Sequence, residues 1–217
     1  MKDDLKKVSK AHTIYKLSDG TRVPGTTTIL GVLNKPALVP WANKLGLEGI
    51  DSSKYVDESA RIGTLAHYLV QCHLTKQEPD LSQYGIFEID KAENALISYF
   101  EWEKTRKIVP IKNELPLISE TYRYGGTIDL YAEIDGILTL CDFKTGSGIY
   151  NEHYYQVCAY RQLLIENGDS VEQIRILNIP RKESEEFTEK VYTNFGIGWE
   201  IFCNCLNIYE LQKSLKI

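Results

Sequence analysis

The chain has 217 residues, 43% of them hydrophobic and 25% charged, the balance of an ordinary soluble protein with one domain and a substantial core. No apolar run approaches the ~20 residues needed to span a bilayer, and MKDDLKKVSK lacks the apolar core of a signal peptide, so a cytoplasmic protein without membrane association is expected. The net charge of -5 runs against a surface built for phosphate contacts, and five scattered cysteines without a C-x-x-C pair read as reduced thiols, Cys141 and Cys158 as small core residues.

Residues His12 to Val23 read as a hairpin turning at Ser18-Asp19-Gly20. A threonine among Thr26, Thr27 and Thr28 is expected to cap a short helix through Leu33, and a second helical piece after Pro36 carries Trp41. Residues 1–50 thus form an N-terminal hairpin and helical arm, and 51–217 the main body. Trp41 either packs the arm on the core or offers a base-stacking surface. From Ser53, the expected cap, to Leu74 the apolar positions Val56, Ala60, Ile62, Leu65, Ala66, Leu69 and Val70 recur at helical spacing. Gly63 and His67 share one face of that helix, where the missing side chain of Gly63 admits a close neighbour. A second helix is expected over Glu88 to Lys107, burying Ile89, Ala92, Leu96, Tyr99 and Phe100.

A strand over Ile108 to Ser119 carries Glu114, with Glu120 in the following turn. The next strand alternates Thr127, Asp129, Tyr131 and Glu133 with Ile128, Leu130 and Ala132, which predicts one functional and one buried face. Gly125 and Gly126 thin its start, where a phosphate or a crossing element can come close. Asp135-Gly136 supplies the turn into the strand Ile137 to Lys144, on which Asp142 and Lys144 point the same way. The TGSG segment beginning at Thr145 is expected as a loop whose amides suit a phosphate. A helix from Asn151 to Glu166 puts Gln156 and Tyr160 on one face and closes at Gly168. Strands over Gln173 to Pro180 and Phe187 to Asn194 precede a helix over Gly198 to Leu215.

Two neighbouring strands that each offer a carboxylate, Asp129 and Asp142, suit a hard divalent cation such as Mg²⁺, with the Phe143 carbonyl as a further oxygen. Lys144 beside it would orient a water nucleophile, assist its deprotonation, or stabilise charge on a phosphoryl oxygen. An Asp-x-Lys triplet alone is more often a solvated strand face, and Asp129 could equally pair with Arg123. The basic clusters Lys2-Lys6-Lys7-Lys10, Lys104-Arg106-Lys107 and Arg181-Lys182 are candidate phosphate contacts, though each alone reads more readily as a solvated face.

The combination of Gly63-x-x-x-His67, Glu114, Gly125-Gly126-Thr127-Ile128-Asp129, Asp142-Phe143-Lys144 and Gln156-x-x-x-Tyr160 resembles the PD-(D/E)XK nuclease superfamily, in its branch of RecB-like, phage and mitochondrial genome-maintenance exonucleases. The resemblance covers residues from about 26 to 180. It implies an α/β restriction-endonuclease-like core, with a central mixed β-sheet flanked by α-helices, and a DNA nuclease dependent on Mg²⁺ or Mn²⁺. It brings His67 to the metal beside Asp129 and Asp142. Glu114 becomes a support for Lys144 or a holder of metal-bound water, and Gln156 and Tyr160 become substrate-binding residues. Some members carry an iron-sulfur cluster on four flanking cysteines; Cys72 and Cys203-Asn204-Cys205 do not fit that pattern, so none is expected. DNA, single-stranded by preference, is the expected partner, with a recombinase or single-strand-binding protein as a candidate associate. An endonuclease and a non-catalytic recombination accessory subunit on the same fold are the alternatives.

Overall fold

The computed structural model describes residues 13–215. A two-stranded hairpin, β1 (Tyr15–Lys16) and β2 (Arg22–Val23), leads into helices α1 (Thr26–Leu30), α2 (Leu38–Leu47), α3 (Ser52–Thr75) and α4 (Ile86–Glu103). Strands β3 (Ile108–Ser119), β4 (Tyr124–Ile134) and β5 (Ile137–Lys144) follow, then α5 (Asn151–Glu166), β6 (Gln173–Asn178), β7 (Thr188–Tyr192) and α6 (Gly196–Ser214). The expected start of the hairpin at His12 and the basic cluster Lys2 to Lys10 lie outside the described residues.

The sheet runs β3-β4-β5-β6-β7 and is mixed: only β5 and β6 are parallel, joined by α5 as a crossover. Asp135 and Gly136 take φ of 53° and 86°, the pair of positive values that a two-residue hairpin matched to strand twist demands. One core cluster packs α1, α5 and α6 on one sheet face through Ile29, Tyr124, Leu140, Leu163, Ile174, Ile176 and Phe202. The other packs α3 and α4 on the opposite face through Leu65, Leu69, Val70, Tyr99, Phe143 and Leu177. Each fully buried Leu or Val stabilises the sandwich by roughly 1.5–3 kcal/mol. This is an α/β fold with helices on both sides of a mixed sheet, as the resemblance implied.

Several local expectations need correction. Gly25, not a threonine, precedes α1, and the Thr26 hydroxyl instead donates to the Gly125 carbonyl at 3.0 Å, tying the arm to β4. Asp51, not Ser53, caps α3, accepting from the amides of Ser53 (2.9 Å) and Lys54 (3.2 Å). Helix α4 ends at Glu103 and buries Ala92, Ala95, Tyr99 and Trp102, while Ile89, Leu96 and Phe100 are only partly covered. Alanines at 92 and 95 let α4 lie close against α3, while Tyr99 and Trp102 fill the core beyond them and Ile89, Leu96 and Phe100 fall on the flank. Trp102 donates to Glu189 at 3.0 Å across to β7.

The alternation along β4 also breaks. Ile128 and Tyr131 join the α5 side, whereas Leu130, Ala132 and Ile134 join the α3/α4 side, so Thr127, Asp129, Tyr131 and Glu133 do not share a face. Strict pleating would keep 128 and 130 together. The reset falls at Asp129, where the β4–β5 ladder ends at Leu130 opposite Cys141. Glu114, across from Asp129 on β3, has left-handed backbone with φ of 43°.

Candidate metal centre

The reset in β4 releases the Asp129 carboxylate from the sheet plane. Its Oδ2 accepts the amide of Phe143 at 2.6 Å, taking the place of a strand-to-strand bond where β4 and β5 part. Its Oδ1 lies 3.3 Å from His67 Nδ1, and Glu114 Oε1 lies 3.7 Å from the same nitrogen. His67 reaches this point from the middle of α3, its ring edge-on to Phe143 with centroids 6.0 Å apart. One ligand atom from each of His67, Glu114 and Asp129 falls within 4.8 Å of the others, and the three are only partly buried. The left-handed backbone of Glu114 costs about 1–3 kcal/mol, strain of the kind that concentrates at working sites.

Electrostatics bind the trio together. Burial disfavours the imidazolium of His67, yet Asp129 and then Glu114 outweigh it and raise its pKa to about 10. Burial likewise pushes Asp129 up, but His67, Lys144 and the Phe143 amide overcome it and hold the carboxyl below its ordinary value. A proton on His67 therefore occupies the place where a cation would be gathered by the same atoms. Two carboxylates and one imidazole fit a hard divalent ion that keeps several waters, and the nitrogen ligand suits Mn²⁺ better than Mg²⁺.

Asp142 and Lys144 face α5, on the side of Leu140, while Phe143 between them faces α3 and α4. Lys144 Nζ donates to Gln156 Oε1 at 2.8 Å, and Gln156 Nε2 donates to the Tyr160 hydroxyl at 2.8 Å. Asp142 Oδ2 stands 2.6 Å from Lys144 Nζ, a buried ion pair. Burial raises the Asp142 pKa, Asp129 adds to the rise, and Lys144 opposes it. In the adjoining β6, Asn178 pairs with Lys144 in register, is 2% exposed, and its Oδ1 lacks a partner. Asn178 thus sets a buried amide oxygen without a protein partner beside the Asp142–Lys144 pair.

Of the ligands expected from sequence, the structure gathers His67 and Asp129 with Glu114, and it sets Asp142 on Lys144 outside that trio. Glu114 stands by His67, not Lys144; Phe143 contributes its amide to Asp129. Gln156 and Tyr160 are buried, and their polar atoms are engaged with Lys144 and with each other. A Cβ on Gly126 would fall 2.3 Å from the Tyr160 ring and one on Gly125 2.2 Å from Tyr15, so crossing aromatic rings explain both glycines. Thr145 lies against Gly63, its Oγ1 2.8 Å from where a Cβ would stand. Arg123 does not pair with Asp129, and Glu120 is a turn carboxylate accepting the Ser18 amide at 2.7 Å. Sequence reasoning missed Asn178, whose only signal is a polar residue ending the apolar run QIRILN. It also missed Tyr15, which shares a 3.0 Å hydrogen bond with Thr127.

No family model matches the chain, and no curated protein matches it. Among solved structures, one described as "Crystal structure of SSO0001" is similar over 70% of this chain and 74% of its own, at 9% identity and a TM-score of 0.30. At that level of likeness the functional reading rests on the residues themselves. Among the described residues no helix is long and apolar enough to cross a membrane.

Proposed function

We propose that the protein is a divalent-metal-dependent deoxyribonuclease of the PD-(D/E)XK type that removes nucleotides from DNA ends, with single strands preferred. The observation that carries this reading is the His67-Glu114-Asp129 trio where β4 and β5 part, with the Lys144 charge, held by Asp142 and Gln156, near enough to help keep the Asp129 carboxyl below its ordinary value. A cation held by the trio would supply Lewis-acid polarisation of a phosphoryl oxygen and acidify water. The chain's own residues do the rest. Lys144 presents a fixed positive charge to a non-bridging phosphate oxygen or to the attacking water, and Gln156, backed by Tyr160, holds its aim. Phe143 keeps Asp129 turned toward His67 through its amide. The Tyr160 hydroxyl, pushed well above its ordinary pKa by burial and then by Asp142 and Asp129, stays protonated and acts only as a hydrogen-bonding prop.

The test is digestion of end-labelled linear single-stranded DNA, matched duplex and a closed single-stranded circle, with Mg²⁺, Mn²⁺ or EDTA, alongside Lys144→Ala. Metal-dependent loss of the linear strand but not the circle, abolished in the variant, is the expected result. Cleavage of the circle moves the activity to an endonuclease. No cleavage by the wild-type chain removes the enzyme reading in favour of a non-catalytic DNA-binding subunit.

A further inference from the structure

The first turn of α5 and the outer strand β7 meet on the sheet face that holds Lys144. Tyr154 of α5 stacks on Tyr192 of β7 with centroids 4.4 Å apart, which fixes the two elements side by side. Asp142, Ile176 and Lys190 form one row across β5, β6 and β7, and Ile176 belongs to the α5-side core. Lys190 therefore projects on that same face, from an edge strand. It is exposed and enters no ion pair among the described residues. His153, next to Tyr154, accepts the Tyr150 amide on Nδ1 at 3.2 Å, so its neutral ring carries the proton on Nε2 as a free donor. Burial first, then the charges of Lys144, Lys35 and Lys190, pull its pKa down to about 4, so the field of three lysines is felt at this ring. Glu152, which acts the other way, is itself paired with Lys35 at 3.1 Å. Tyr150, 51% exposed, stands edge-on to His153 at 5.5 Å with its hydroxyl on Ser147.

We propose that Lys35, His153, Lys190 and Tyr150 form a track that binds one nucleic-acid strand, the first three on its phosphates and Tyr150 on a base, leading from Lys144 to the free edge of β7. The assignment rests on the nuclease reading and deepens it. Cations interleaved with an exposed aromatic ring are what a single strand requires, because phosphates recur along it and every base offers a flat face. Lys35 and Glu152 tie the segment between α1 and α2 to α5, so the track's near end is held in place before a strand arrives.

The test uses fluorescence anisotropy of a labelled oligothymidylate with the full chain in EDTA, where no cleavage proceeds, over a range of salt. Lys190→Glu is expected to weaken binding about threefold to tenfold and to flatten the salt dependence by about one contact. His153→Ala is expected to weaken it by less, and Tyr150→Ala to weaken it without altering the salt slope. Lys213→Glu, a charge reversal on the far end of α6, should bind as wild type, and thermal melts should be unchanged for Lys190→Glu and Lys213→Glu. Wild-type affinity and salt slope in Lys190→Glu and Tyr150→Ala would overturn the track while leaving cleavage, and so the nuclease reading, untouched. Equal weakening by Lys213→Glu would also overturn it, showing only a general charge effect. A wild-type chain that neither binds nor cleaves DNA would remove both proposals together.

Discussion

His67 is the residue on which the candidate centre turns, because it holds two carboxylates that would otherwise repel each other. Without metal its raised pKa makes it an imidazolium at neutral pH, and a metal ligand must be neutral. Ion binding therefore has to expel that proton. Calorimetry of Mn²⁺ binding at pH 7 in buffers of different ionisation enthalpy should show close to one proton released per ion, and His67→Gln should show none. A release near zero in the wild-type chain would separate His67 from the metal. The same shift has a signature in stability. A histidine whose folded pKa lies above its ordinary 6.5 stabilises the fold fully below that value, and the contribution is lost as pH rises through about 10. In EDTA, the melting temperature of the wild type minus that of His67→Gln should thus be largest near pH 6 and shrink toward pH 10; a difference that grows with pH would contradict the ion pair.

At the scale of elements, the candidate centre lies where regular structure is interrupted: β4 parts from β5 at Asp129, β3 turns left-handed at Glu114, and α5 holds Lys144 through Gln156. Gly126 shows how tightly these pieces are fitted. An alanine there would put its Cβ into the Tyr160 ring, and because the Tyr160 hydroxyl accepts from Gln156, which in turn accepts from Lys144, the strain reaches the ammonium. Gly126→Ala is expected to destabilise the fold by about 1–3 kcal/mol in urea unfolding and to lower cleavage. Gly63→Ala meets only the Thr145 hydroxyl, which can rotate, so its cost should be smaller; equal costs would mean Tyr160 moves freely. The strands and α5 were legible in the chain because period-two and helical patterns are bounded there by Asp135-Gly136 and Gly168. Spacing put Asp142 and Lys144 on one face, where they pair, but did not separate them from Asp129, which sits with His67 and Glu114. The position of Glu114 beside His67 was not legible, since it depends on left-handed backbone in β3 and a pleat reset in β4 that no local pattern announces. Nor was the closed Lys144–Gln156–Tyr160 chain, which arises only when α5 packs on β5.

For the whole molecule, the question is how a chain of net charge -5 would hold a polyanion. Among the described residues, the basic clusters conspicuous in the sequence are largely engaged: Arg106 with Glu189, Lys104 with Glu101, Arg181 with the Ser59 carbonyl, Lys182 with Glu185. In the proposed track the cations come from separated segments, Lys35 and Lys144, each in one ion pair, and Lys190, which has none among the described residues, so no cluster in sequence announces them. Three ammonium groups, each releasing about 0.7 of a counterion from a single strand, predict a slope near -2 in a plot of log association constant against log salt. Such a shallow dependence means that the surface as a whole contributes little and that binding is confined to the face where β5, β7 and α5 meet. A slope steeper than about -4 would require further contacts. Lys2, Lys6, Lys7 and Lys10 would then be the first to test, since removing residues 1–12 should return the slope to about -2 if they supply the excess. Cleavage of linear strands should fall along the same shallow curve, because the cations that bind the strand are the ones that deliver it to Lys144.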